Sequence, residues 1–425
     1  PLPPQRTATI PYARALDALG QARAADTVAA TLADPAWSTA AALRTQLEAR
    51  RARHLHHLAQ MVGLQEELDW LVYRLFGLST LPTVAAEATG PLQPGLRPFE
   101  LDLAQVDAAA RAARARGETP IEAPTAWFSR HGWAPALALP ATTPADLAAR
   151  IAARRAATAQ SAALQLLEAP VHKRRWSHPN FADDEKEGLR AFLLDAIEAA
   201  LAPLSEPTTP RALARRLAVA PRFLAAASLY TGSEAPDLAA LCANLMAAEA
   251  VVAHPLHRYT PKGLVKRREW EKTWALQARE DRGEAVKIKV PPKYTAADFV
   301  GAVAYPLRGP LDVPKERFVA HTEVPTATGK RRAGEEALYG WAGWDRASRL
   351  DRLANLLETL DREGVPTSER VALFDLMFRY VDELARTHPA AAKERRDDLK
   401  ADVGAEPGGP QLESWLKVHP PTKGW

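Results

Sequence analysis

The chain has 425 residues, 47% of them hydrophobic and 25% charged, with a formal net charge of +4. That mixture excludes a disordered chain, and the length exceeds what one core usually serves, so two to four packed modules are expected. Alanine and arginine dominate, which favours helix, and the mild basic excess permits a polyanionic partner without requiring one.

Residues 7–37 read as short helical segments. The clearest periodic element follows at 38–78, with Ser38 as a cap and Gly77 as a stop signal. Steps of four and three run through Leu47, Arg51, His54, Leu58, Met61, Gln65, Leu68, Val72 and Leu75. This heptad-like seam predicts one coiled-coil-like helix of about 60 Å, able to kink at Gly63 and in need of a partner helix. A Pro- and Gly-rich connection at 79–99 leads to helices near 102–116 and 144–168. Between them Trp127, Phe128 and Trp133 sit among prolines and suggest an aromatic-pinned loop. Amphipathic helices are expected at 181–202, 210–230 and 235–253. From 262 a charged helix carries Trp270 and Trp274 on one face, and short strand-like pieces follow it. Two more helices, 346–364 and 366–387, precede a loose tail.

The fold class is therefore mainly α: a helical multi-module chain with one long helix and a small irregular β-containing module near 285–345. The expected divisions are a helical spacer at 1–80, a helical recognition region at 81–260, the charged helix with its mixed module at 261–345, and terminal helices and tail at 346–425.

Cys242 is the only cysteine, so no intrachain disulfide forms and a cytoplasmic location is expected. No stretch approaches the roughly eighteen apolar residues of a membrane span, and the N-terminus lacks a signal-peptide pattern. A chain opening at Pro1 reads as a piece of a longer polypeptide.

Adenine-N6 methyl transfer uses an Asn/Asp-Pro-Pro-aromatic loop to hold an extruded base. The nearest string, Val290-Pro291-Pro292-Lys293-Tyr294, lacks the leading polar residue and separates the prolines from the aromatic by a lysine. No P-loop, GxGxxG, GxSxG or HExxH is present. His54, His56 and His57 have no second ligand cluster. Cys242 lies in an apolar run with no base nearby, and Glu66-Glu67 and Asp183-Asp184 read as helix-start or solvated carboxylates. No catalytic, metal or cofactor residue is therefore assigned to this chain.

Basic runs are the positive signal. The foremost is Lys173, Arg174 and Arg175, in a connection after Pro170 and followed by Trp176 and His178. Loops of this kind reach grooves, where guanidinium reads guanine edges and lysine takes phosphate. A second candidate runs from Lys287 to Arg317. There Lys287, Lys289, Lys293, Arg308, Lys315 and Arg317 are interleaved with Tyr294, Tyr305 and Phe318. Other basic runs, at 111–116, 154–155, 211–216 and 266–268, read as solvated helix faces.

Two sets of strings carry a family resemblance. LQEELDWLVYRLFGL (Leu64–Leu78) resembles a signature that follows the catalytic domain of large modification methylases. The succession KRREWEKTWALQARED, VPPKYTAADF, LRGPLDVPKERF and LYGWAGWD, between Lys266 and Asp345, is similar to the C-terminal region of PglX-type adenine methyltransferases of type 2 BREX defence systems; KRRW at 173–176 and LAAASLYTG at 224–232 add weaker matches. The resemblance implies a part of an S-adenosylmethionine-dependent enzyme that marks host DNA. Cofactor and catalytic groups would then lie N-terminal to everything seen here, in the same or a separate chain. It also implies duplex DNA, the catalytic domain and other phage-defence proteins as partners. The alternative is a protein-interaction scaffold that does not itself touch DNA.

Overall fold

The computed structural model describes residues 4–120, 124–252, 258–301, 305–307, 316–321, 337–385 and 389–405. The chain forms two compact units, one of residues 1–37 and 41–188, the other of 189–425 together with 38–40.

In the first unit, α1 (Ile10–Ala25) and α2 (Val28–Ala33) precede the long helix α3 (Ala40–Leu75). Thr27 caps α2 by accepting a hydrogen bond from the Ala30 amide at 3.0 Å. Then come α4 (Pro98–Ala115), α5 (Trp127–His131), α6 (Ala145–Gln160) and α7 (Ala162–Leu167). The helix expected across 144–168 breaks at Ser161, whose extended backbone and side-chain cap restart it as α7. α3 finds its partners within its own unit. Leu58, Met61 and Val62 pack with Leu92, Leu101, Ile151 and Trp176, while Leu64 and Leu71 pack with Tyr12 and Ala86. Its second half is buried on several faces, Glu66 and Glu67 included, well beyond a two-sided seam. α3 runs unbroken through Gly63, and its close neighbour explains that residue: a Cβ there would run into the carbonyl oxygen of Gly90. The 90–92 segment lies on the helix at that point, Leu92 donating its amide to Ala59 O at 2.9 Å.

α8 (Phe181–Leu201) crosses from residue 188 of the first unit to residue 189 of the second. The second unit continues with α9 (Pro210–Leu217), α10 (Pro221–Thr231), α11 (Leu238–Glu249), β1 (Ala250–Val252) and α12 (Pro261–Glu280). β2 (Phe318–His321), β3 (Leu338–Trp341), α13 (Arg346–Arg362), α14 (Thr367–Leu384) and α15 (Pro389–Ala405) follow. The single helix expected at 210–230 is two, because Pro221 opens α10 as its first residue and cannot continue α9. The strands form one sheet in the order β1-β2-β3. β1 lies parallel to β2 with Val251 opposite Val319, and β2 antiparallel to β3 with Val319 opposite Gly340.

The expected small β module is present, but one strand comes from 250–252, where helix was expected. VPPKYTAADF supplies a 3-10 turn at Ala296–Asp298 instead of a strand. Residues 389–405, assigned above to the loose tail, are helical; 406–425 lie outside the described residues. One core gathers Leu350, Leu353, Leu373, Phe374, Tyr380 and Val381 from α13 and α14 with Val319 and Leu338 of the sheet. No described helix is long and apolar enough to cross a membrane.

Candidate nucleic-acid interface

The second half of α3 presents Glu66, Glu67, Asp69, Trp70 and Tyr73 at spacings of three and four, so they gather on neighbouring faces. They build a charged interior. Arg154 of α6, 2% exposed, donates to Glu67 Oε2 at 2.7 Å and lies over the Trp70 ring. Trp70 Nε1 donates to Glu66 Oε1 at 2.9 Å, and Tyr73 OH to Glu168 Oε1 at 2.8 Å. Lys173 closes the network, its ammonium donating to Asp69 Oδ2 at 2.7 Å and Glu168 Oε1 at 2.8 Å. Burial works against that charge, but Glu66, Asp69 and Glu168 together hold its pKa above the ordinary lysine value.

Lys173 is thus corrected from a groove-reaching residue to an interior one. At 5% exposure, with its ammonium held by buried Glu168 and half-buried Asp69, Lys173 is not presented to a ligand. The strings at 64–78 and 173–176, far apart in sequence, meet in this network through Lys173, Asp69 and Tyr73, with Arg154 and Glu168 from outside both.

Glu66 is the network's titrating member. Burial first, then Glu168 and Asp69, raise its pKa against the pull of Lys173 and Arg154, from 4.5 to about 7. Its Oε2 is buried with no hydrogen-bond partner among the described residues, which suits a carboxyl that keeps its proton. Between these two pH values the folded chain holds a proton that the unfolded chain has released. Stability from this group is therefore complete below pH 4.5 and falls towards pH 7, by at most about 1.4 kcal/mol per pH unit. The expected result for Glu66→Gln is a melting temperature equal to the parent's near pH 4.5 and above it at pH 8; parallel curves across that range would refute a protonated Glu66.

The loop after Lys173 is fixed from within at every second or third residue. Arg97, itself buried against Glu100, donates to the carbonyl of Arg174 at 2.8 Å. Trp133 Nε1 donates to Trp176 O at 2.6 Å, Trp176 is buried in the α3 core, and His178 N donates to His131 O at 2.8 Å. Arg174 and Arg175 are exposed on this fixed backbone, Arg174 with its guanidinium 4.5 Å from the centre of the Trp176 ring. Neither forms an ion pair among the described residues, whereas Arg51, Arg53, Arg111, Arg116, Arg150, Arg154 and Arg155 all do. Burial, Arg175 and Arg97 lower the pKa of neighbouring His131, a mark of the positive field at this surface.

In the second unit, residues 285–294 run along α12, with Thr273 Oγ1 donating to Lys289 O at 3.3 Å and Trp270 Nε1 to Pro292 O at 3.1 Å. Lys287, Lys289 and Lys293 point outward from this segment. Tyr294 does not. It is 4% exposed, packed among Tyr259, Trp270 and Phe299, and its aromatic face belongs to that cluster. Arg317 is engaged with Asp195 and Glu198 of α8, which neutralise it. Arg308 and Lys315 lie outside the described residues. Buried Cys242 has its thiol pushed up to about 12 by desolvation, and no described group of three or more His, Cys, Asp or Glu is placed to hold a metal. Sequence reasoning overlooked Arg23, which lies against His54 of α3; only the helix packing brings the two together.

The family described as Domain of unknown function (DUF7008) matches residues 61–402. The adenine-specific methyltransferase PglX of Streptomyces coelicolor is 36% identical over 360 residues, which cover 80% of this chain and 28% of that protein. The chain thus spans less than a third of the length of the curated relative it matches. No solved structure matches it. With the family model running from the charged interior of α3 to the terminal helices, the chain belongs to the DUF7008 family and is a PglX-type homologue over that span.

Proposed function

We propose that this chain is the non-catalytic DNA-recognition and spacer region of a PglX-type adenine-specific DNA methyltransferase, acting in the marking of host DNA for anti-phage defence. In this reading it occupies the C-terminal part of the enzyme, in the cytoplasm, and S-adenosylmethionine binds to a catalytic domain outside it. The observation that carries the DNA-binding reading is the pair Arg174–Arg175, exposed and without carboxylate partners among the described residues, on a loop that Lys173, Arg97, Trp133 and Trp176 hold in place. A pre-fixed loop loses little conformational entropy on meeting a phosphate backbone, and unpaired guanidinium groups keep their full charge for it. Lys287, Lys289 and Lys293 offer further backbone contacts from the second unit.

Binding of this kind releases counterions and weakens steeply with salt. In a fluorescence-anisotropy salt titration of the full chain with duplex DNA, R174E/R175E is expected to lower affinity at least tenfold. It should also flatten the slope of log K against log salt by about 0.9 for each phosphate no longer neutralised. Wild-type affinity in the double variant would remove this loop from the interface. No DNA binding by the parent chain, alongside a stable complex with another defence protein, would replace the proposal with the scaffold reading.

A further inference from the structure

Arg23, near the end of α1, is half-buried, and what holds it is unusual for this protein. Its Nη2 lies 2.8 Å and its Nε 3.3 Å from Nε2 of His54, and its Nη1 lies 3.8 Å from the sulfur of Met61. No carboxylate pairs with it among the described residues. Its neighbours on α3 behave otherwise: Arg51 pairs with Glu185, and Arg53 with Asp26 at 2.8 Å. A guanidinium carries no acceptor, so Nε2 of His54 must accept both hydrogen bonds, which places the imidazole proton on Nδ1 and keeps the ring neutral. Burial, Arg23 and Arg50 lower the pKa of His54, in agreement with that state. A neutral ring orients the guanidinium without cancelling its charge, which a carboxylate in the same place would do.

The same imidazole leads to the arginine loop. His54 meets the Phe181 ring edge-on at 5.6 Å, Phe181 meets His178 at 6.0 Å, and His178 meets Trp133 at 4.7 Å, the side chain that holds Trp176. Burial and then the nearby charge of Arg174 lower the pKa of Arg23. Arg23 touches Met61 and Arg174 lies over Trp176, two members of one packed cluster, so the two guanidinium groups repel each other in the unbound chain, and an anion seated there relieves the repulsion. Arg23 retains one N–H on each terminal nitrogen beyond those used on His54 and Met61, enough for a phosphate oxygen pair.

We infer that Arg23, held by the neutral imidazole of His54, joins Arg174 in gripping a backbone phosphate of the nucleic acid, with His54 as its positioning residue. This rests on the DNA reading above and extends the interface to α1 and α3. In the same salt titration, Arg23→Gln is expected to weaken duplex binding about tenfold and to reduce the salt slope by about 0.9, the value for a single phosphate. His54→Asp, which supplies the cancelling carboxylate, should reproduce both changes, and His54→Gln, a neutral acceptor, should recover most of the affinity that His54→Asp removes. Arg116→Gln removes one equally charged side chain, paired with Glu118 on an exposed turn, and controls for net charge. Arg23→Lys keeps the charge and serves if Arg23→Gln melts early. An unchanged salt slope in Arg23→Gln and His54→Asp, while R174E/R175E still weakens binding, overturns this inference and leaves the DNA reading intact. A parent chain that binds no duplex overturns both.

Discussion

Replacing Lys173 with methionine is expected to destabilise the first unit by about 3–5 kcal/mol, the usual cost of removing one partner from a buried ionic network. The ammonium donates to Asp69 and Glu168 and lies 5.9 Å from the centre of the Tyr73 ring. Without it, Asp69 and Glu168 lose the cation they share, and the Glu168 charge is left buried. Methionine matches the length of lysine but supplies no donor, so the effect is electrostatic rather than one of volume. Urea unfolding of the full chain, followed by tryptophan fluorescence, should show the transition of this unit moved to lower denaturant. Arg174→Gln and Arg175→Gln, at exposed positions, should leave that transition within about 0.5 kcal/mol of the parent. A Lys173→Met chain with the parent's urea profile and selectively weakened DNA binding would reverse the assignment and make Lys173 a direct DNA ligand after all.

The second large effect is expected at Asp298. Its side chain, 0% exposed, accepts from the Thr295 amide at 2.7 Å, the Thr295 hydroxyl at 3.0 Å and the Lys266 ammonium at 2.7 Å. Its carbonyl accepts from Thr260 N at 3.0 Å, and α12 passes so close there that a Cβ on Gly263 would run into that oxygen. One aspartate therefore ties the 292–300 segment to the start of α12 beneath the cluster of Tyr259, Trp270, Tyr294 and Phe299. Asp298→Ala leaves several donors without their acceptor, at about 1–3 kcal/mol for each buried group left unmade. Burial alone would raise the carboxyl, but Lys266 and Thr295 outweigh it and hold its pKa below the ordinary 3.8. A depressed folded value means that the stabilisation is present above pH 3.8 and is lost as pH falls below it through the lower folded value. Hydrogen exchange of the 292–300 amides should accelerate in Asp298→Ala at neutral pH, and in the parent only under strong acid. Parent-like protection in the variant would show that the aromatic cluster holds the segment without this acid.

Much of the helix pattern was legible in the residues. The long helix, the amphipathic helix at 181–202 and the charged helix at 262 all come from local rules of spacing, capping and proline placement. Gly77, read as a stop signal, has φ +70, a conformation glycine adopts without strain. Where such rules conflicted they misled. The run at 210–230 is apolar enough for one helix, but Pro221 divides it. Residues 250–252 continue the apolar texture of α11 yet pair as a strand, because β2 offers them a ladder that no local pattern announces.

The residues alone determined a mainly helical chain, one long central helix, the absence of recognised catalytic motifs and the strings by which its relatives are found. Only the tertiary structure decided what each charge does. Lys173, Arg174 and Arg175 are adjacent and alike in sequence, but the first meets an aspartate 104 positions away and turns inward, while the other two stay in solvent. The sign of a side chain is fixed by its own chemistry. Its availability depends on which distant carboxylate, imidazole or ring the fold places beside it, because electrostatic interactions act across space and not along the chain.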